Sequence, residues 1–246
     1  MASKKRKQIG KSRAGDIAIF IMLMLVGLFM LFPIYLSVIQ SVKPSQELFL
    51  FPPKLYAIAP TGQNFVDLLN TASNMWVPFS RYIFNSVFVA VVVTVCQLLF
   101  SSSAAYVLAK GEFPGKKALN KAIELALLFT SSVMFIMQYM VMAFMGLIDT
   151  YFAITLPYIA TPMGLFLMRQ FMGQIPDAII EAAKLDGAGH MRTCWQVVIP
   201  NVKPAILTLM IFAFQGAWQV TGYSFIYSEE LKPLPTVMQQ ISSAGI

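Results

Sequence analysis

Glu181-Ala182-Ala183-Lys184-Leu185-Asp186-Gly187, followed after nine residues by Val197-Val198-Ile199-Pro200, is the stretch on which the reading of this chain turns. It is polar, rich in small residues and broken by glycine. Yet it lies between two segments apolar enough to cross a membrane. A polar helix-turn-helix between two spans contributes little to a core and is well placed to dock a partner. From Ile175 the spacing of Ile175, Ala178, Ile179, Ala182, Ala183 and Leu185 predicts one apolar face at the helical period. Asp177, Glu181 and Lys184 fall on the other side. Pro176 suits a first helical turn, and Gly187 and Gly189 predict a stop in the left-handed conformation of a C-cap. A second short helix, about 190–198, runs into Pro200, which is expected to bend the approach to the next span.

Composition sets the frame for this loop. Of the 246 residues 57% are hydrophobic and 12% charged, with a mean hydropathy of +0.68. Soluble domains carry about 25% charged residues, so the chain reads as an integral membrane protein. The net charge of +7 does not point to nucleic acid, because the charges are scattered between long apolar runs. Two unrelated cysteines, Cys96 and Cys194, and one histidine, His190, leave no material for a disulfide framework, a zinc site or a histidine-based triad. The N-terminal apolar run is too long for a cleavable signal peptide, and no small-x-small site follows it.

A span needs roughly 20 apolar residues, and five segments qualify: 17–42, 82–109, 123–147, 152–172 and 201–228. The second, at ~1.5 Å per residue, extends about 42 Å and is expected to tilt or protrude. The predicted fold is therefore an all-α, polytopic helical bundle. It has a basic tail at 1–16, an outer loop at 43–81, an inner loop at 110–122, the polar loop at 173–200 and an outer segment at 229–246. Lys and Arg set the orientation. With a cytoplasmic N-terminus the inner side holds fourteen of them and the outer side only Lys43, Lys54, Arg81 and Lys232. The loop at 173–200 is thus expected on the cytoplasmic side, and the basic run near the N-terminus reads as a topology anchor.

The loop resembles the E-A-A, three residues, G, nine residues, I-x-L-P motif of permease subunits from bacterial binding-protein-dependent ABC importers. Glu181-Ala182-Ala183 and Gly187 match, and Val197, Ile199 and Pro200 keep the spacing with conservative changes. Upstream, Gly146-Leu147-Ile148-Asp149-Thr150, Leu156-Pro157-Tyr158 and Phe166-Leu167-Met168-Arg169-Gln170-Phe171 are similar to the carbohydrate branch, the MalG-like permeases. The likeness is strongest from Gly146 to Trp218. It implies a coupling loop seated in a groove of a cytoplasmic ATPase, with Glu181, Ala182, Ala183, Asp186, Gly187 and Pro200 as the coupling residues. It further implies a second permease subunit, two ATPase subunits that hold the ATP and Mg, an extracytoplasmic solute-binding protein, and the bacterial inner membrane as the location. Permeases of this branch have six spans, so the resemblance also implies a last helix beyond the point where this sequence stops. The expectation is that the sequence is cut short of it.

The chain itself carries no Gly-x-x-x-x-Gly-Lys-Ser/Thr phosphate loop. Gly111-Glu112-Phe113-Pro114-Gly115-Lys116-Lys117 has the wrong spacing and reads as a turn. It is therefore not expected to be an enzyme, nor to hold a metal or cofactor. The span centres lack charge, which argues against a proton- or ion-coupled transporter. Uncharged polar residues do occur there: Gln97, Gln138, Tyr139, Gln215, Trp218, Gln219 and Tyr223. Amides hydrogen-bond hydroxyls and rings stack on C–H faces, which suits a neutral polyol. Interhelical hydrogen bonding is the plainer use of the same side chains. Gln138 and the trio Gln215, Trp218 and Gln219, which share one helical face, are the substrate-pathway candidates. Ala213 and Ala217, and Ser101 and Ala105, read as helix-packing positions. The alternatives to a sugar importer are an ABC importer for another solute and, from a different class, a secondary transporter.

Overall fold

The computed structural model describes residues 13–73, 76–129, 131–221 and 225–244. Among them all regular structure is helical. Tyr223 and the basic residues from Lys4 to Lys11 lie outside the described residues. The chain divides into two compact units, Met1–Met75 and Trp76–Ile246.

In the first unit α1 (Arg13–Ser41) is apolar on every side, and its described side chains are almost all exposed. A helix with no polar face and no buried face is built for lipid or for another chain. The segment after it is organised by side chains that satisfy loop backbone. Glu47, in α2 (Ser45–Leu48), accepts the backbone N–H groups of Ile58 and Ala59 at 3.0 and 2.9 Å. The Ile58 bond, foremost, holds its carboxyl below the ordinary value. Asn64, in α3 (Gln63–Ser73), donates to the carbonyls of Ser41 and Lys43.

The second unit is organised around α4 (Phe79–Lys110), which packs against α7 (Tyr151–Ile159), α8 (Pro162–Gly173) and α12 (Lys203–Trp218). Its inward face carries Val89, Ala90, Val93 and Ala105, all fully buried. Small and β-branched side chains let neighbouring helices approach closely, the usual basis of packing inside a membrane. Two apolar clusters result. One joins α4, α7 and the segment 217–226; the other joins α4, α8, the loop at 173–200 and the start of α12.

Three of the apolar runs fold differently from a single straight helix. The run 123–147 is divided between α5 (Lys116–Ala126) and α6 (Ser131–Phe144), with non-helical Leu127–Phe129 between them. The run 152–172 breaks at Ala160–Thr161, where Pro162 starts α8 and the Thr161 hydroxyl caps it by accepting from Gly164 N at 3.3 Å. Among the described residues the run 201–228 is helical only as far as Trp218; Val220, Phe225 and Ile226 enter the core as non-helical chain. Such backbone is tolerated within a membrane protein when buried polar groups find partners. Asp149 supplies them. Its Oδ1 accepts from the backbone N–H of Tyr227 and Ser228 at 3.0 and 2.9 Å, the Ser228 hydroxyl donates to Oδ2, and Asp149 N donates to Phe225 O at 2.8 Å. The Ser228 hydroxyl, ahead of the backbone donors, holds the Asp149 carboxyl below its ordinary value. Beyond this lies α13 (Leu234–Ala244), anchored to α4 by Leu234 N donating to Ser86 Oγ at 2.7 Å.

Among the described residues, Gly15–Ser41, Phe79–Lys110 and Tyr151–Gly173 are long and apolar enough to cross a membrane. A fourth such element is the pair His190–Asn201 and Lys203–Trp218, bent by 88°.

Candidate functional site

The loop at 173–200 folds as two short helical pieces joined by a glycine turn. α9 (Asp177–Leu185) ends where Gly187 N donates to Lys184 O at 3.0 Å and Ala188 N to Ala183 O at 2.9 Å. Those two bonds define a Schellman motif with Gly187 in its left-handed position, at φ +78°. The chain re-enters helix as α10 (His190–Arg192), widens to a π turn over Thr193–Val198 and closes as α11 (Ile199–Asn201). The turn that separates this piece from α12 is at Val202, two residues beyond Pro200, where a bend was expected. Pro200 itself stays inside α11. The reason is Pro204, whose ring would collide with the carbonyl of Pro200 if the helix ran on.

The two faces of the loop differ. Ile175, Ile180, Cys194, Val198 and Val202 are buried in one cluster with Met168 and Met172 of α8, Tyr106 of α4 and Leu209 of α12. The expected single apolar face is therefore corrected. Ile175 and Ala183 point inward with Ile180, whereas Ala178, Ile179, Ala182 and Leu185 are exposed. Ile179 and Ile180 are adjacent and equally apolar, so periodicity cannot choose between the two stripes; contact with Met172 and Cys194 chooses.

Lys110, at the last turn of α4, is nearly buried. It donates to Ile175 O at 2.5 Å and to Asp177 Oδ1 at 2.7 Å. That bond is the main cause holding the Asp177 carboxyl below its ordinary value. The loop is thus bolted to the end of α4 as well as packed beneath α8 and α12.

On the exposed face stand Glu181, Ala182, Leu185, Asp186 and Met191, with Leu185 89% and Met191 69% exposed. Glu181 forms no ion pair among the described residues. Of the six loop residues singled out by sequence, only Ala183 is buried; Pro200 is exposed beyond the π turn.

A second feature lies between α4, α7, α8 and α12: a cavity of about 250 Å³ lined in part by Gln97, Tyr158, Thr161, Gly164 and Gly216. Gln97 Nε2 donates to Thr161 Oγ1 at 2.5 Å. Of the four pathway candidates none lines it. Gln138 is half-buried on α6, and Gln215 and Gln219 are exposed at the end of α12. Trp218 stacks on Phe214 with ring centroids 5.7 Å apart. Sequence reading raised Gln97 but did not reach Tyr158 or Thr161 as cavity residues. The Thr161-Pro162 break inside an apolar run was the available signal.

Apolar helices long enough to cross a membrane, with a polar loop packed beneath them, are the architecture of an integral membrane protein. Comparison places the chain more closely. Residues 17–228 match the family model of the binding-protein-dependent transport system inner membrane component, and the chain belongs to that family. It is 31% identical over 241 residues to the sn-glycerol-3-phosphate transport system permease protein UgpE of Yersinia enterocolitica, covering 96% of this chain and 86% of that protein. It is 32% identical over 166 residues to Protein LplC of Bacillus subtilis, covering 67% and 56%. The fold is similar, with a TM-score of 0.79 and 22% identity, to a chain in the crystal structure of a bacterial ABC transporter involved in the import of the acidic polysaccharide alginate. That match covers 97% of this chain and 82% of the other.

Proposed function

We propose that the chain is a permease subunit of an ABC importer for a sugar or oligosaccharide. It pairs with a second permease subunit, two cytoplasmic ATPase subunits that hold the ATP and Mg, and an extracytoplasmic solute-binding protein. The single observation that carries this reading is the two-faced loop at 173–200. Its inner face is continuous with the core of α4, α8 and α12, and its outer face exposes apolar and acidic side chains. A push on the outer face therefore moves three helices together. In this reading Glu181 meets basic residues of the ATPase, and Leu185 and Met191 enter an apolar groove. Gly187 keeps the turn tight.

Orientation follows from the distribution of Lys and Arg: the N-terminus and the loop are cytoplasmic, and the segments 43–81 and 229–246 lie outside. The sugar branch draws support from the relatives. A UgpE protein belongs to an sn-glycerol-3-phosphate system, and the structural neighbour serves import of a polysaccharide. Both solutes are rich in hydroxyl groups.

The test is to purify the protein from its native host in detergent, identify what accompanies it, and measure uptake in proteoliposomes. An ATPase and a second permease should co-purify, and uptake should require ATP. Glu181→Lys and Gly187→Trp should each abolish uptake while leaving membrane insertion intact. Solute movement by the isolated chain without nucleotide would establish a secondary transporter instead.

A further inference from the structure

We infer that the cavity between α4, α7, α8 and α12 is a subsite for the hydroxyl groups of the transported solute, an inference that rests on the importer reading above. The cavity offers an unused set of uncharged hydrogen-bonding groups. Thr161 Oγ1 already accepts from Gln97 Nε2 and from Gly164 N, at 2.5 and 3.3 Å, which leaves its proton to give. Gln97 Oε1 and the Tyr158 hydroxyl have no hydrogen-bond partner among the described residues, and neither is sealed off as a fully buried atom. One donor, one acceptor and one group that does both therefore face a space of about 250 Å³, near the lower end of ligand pockets, which begin at about 300 Å³. That is room for one sugar ring or short polyol at a time.

The glycines shape the space in opposite ways. A Cβ on Gly164 would lie 2.8 Å from Gln97 Nε2 and 2.9 Å from Leu209 Cδ1, so glycine there lets α8 close on the amide and hold it in place. A Cβ on Gly216 would meet no atom within 4 Å. Gly216 lines the same cavity and presents bare helix backbone to open space, so a Cβ there meets no obstruction.

Among the described residues no Lys, Arg, Asp or Glu lines the cavity. A phosphate or carboxylate moved into it would lose hydration with no opposite charge to offset the loss. The geometry therefore assigns the site to a neutral, hydroxyl-bearing portion of the solute. An anionic group, where the solute has one, is held elsewhere.

The test uses the complete importer in proteoliposomes with its binding protein at saturation. The probes are labelled sn-glycerol 3-phosphate, maltose and an alginate trisaccharide, and the solute that accumulates is carried forward. Uptake and ATP hydrolysis are measured together. Gly216→Leu should lower uptake at least tenfold while ATP hydrolysis and subunit co-purification persist. Tyr158→Phe removes one oxygen that bonds nothing among the described residues, so it leaves the fold alone. It should lower transport per ATP about three- to tenfold, the value of one hydrogen bond. If Tyr158→Phe and Gly216→Leu both transport at the unmodified rate, the cavity is off the route, a space for lipid, and the subsite is overturned while the importer reading stands. If the unmodified protein brings no ATPase and moves no solute with ATP, both readings fall. Gly216→Leu that does not assemble leaves the decision to Tyr158→Phe, whose unchanged transport per ATP overturns the subsite by itself.

Discussion

The two ends of the second unit are held by different physics. At the loop end, Ile175, Ile180, Cys194 and Val198 are locked by burial against Met168, Met172 and Leu209. At the opposite end Phe225 and Ile226 are buried too, but the chain from Phe225 to Ser228 has no helical ladder of its own, and Asp149 takes up backbone groups of Phe225, Tyr227 and Ser228. Burial resists displacement in every direction and is indifferent to pH. Hydrogen bonds to one carboxylate are directional and can be cancelled by a proton. The contrast suits a machine pushed at one end and opened at the other: the pushed end must move as a block, and the opening end must be able to rearrange.

Substitutions at the two ends can break or sharpen that contrast. The largest loss of stability is expected from Met168→Ala. It removes a fully buried side chain from the cluster under the loop and should cost about 2–5 kcal/mol, read as a lowered melting temperature in detergent. Asp149→Ala should cost less, about 0.5–1.5 kcal/mol, because the backbone donors it leaves without an acceptor are exposed or only partly buried. Its effect should concentrate at the far end, as faster hydrogen exchange at Tyr227 and Ser228 with the loop unchanged.

Acid should imitate Asp149→Ala. The carboxyl is held below its ordinary value in the folded protein, so its contribution is complete above the unfolded value, about 3.9. It is lost as pH falls through the folded value, still lower. The protection of the Tyr227 amide, corrected for the intrinsic pH dependence of exchange, should therefore be flat from neutral pH down to about 4 and fall below that. Faster exchange first at Val198 would reverse the assignment of the two ends. Lys110→Met is the mildest of these changes. Asp177 is largely exposed, so the ion pair itself contributes little to stability, and the visible effect should be local loosening of Ile175–Asp177 rather than a lower melting temperature.

How far the sequence could be read depended on whether one element or two had to be known. Continuous apolar runs such as 82–109 announce a span by themselves, and α4 extends a few residues beyond that run. The loop was legible because Glu181 to Gly187 and Pro200 keep a fixed spacing along one short segment. Its inward stripe was not, because Ile179 and Ile180 are equivalent until Met172 and Cys194 are in place. The end of α12 at Trp218 was hidden for a similar reason. Apolar residues continue through Phe225 and Ile226, and Asp149, some eighty residues earlier, supplies hydrogen-bond partners for the non-helical chain there. The cavity draws its polar groups from α4 and the α7–α8 break, so no window of sequence displays it whole. The quartet Gln138, Gln215, Trp218 and Gln219 was easier to notice because three of its members lie together at the end of one helix.

The central claim is that the loop's outer face docks an ATPase while its inner face holds the helices, and Leu185→Glu tests it most directly. Leu185 is almost fully exposed and makes no part of the core, so the purified protein should keep its melting temperature. The quantity to measure is the amount of ATPase subunit that co-purifies with it, alongside ATP-driven uptake. The account predicts a loss of both at unchanged stability. Full recovery of the ATPase with normal uptake would contradict it.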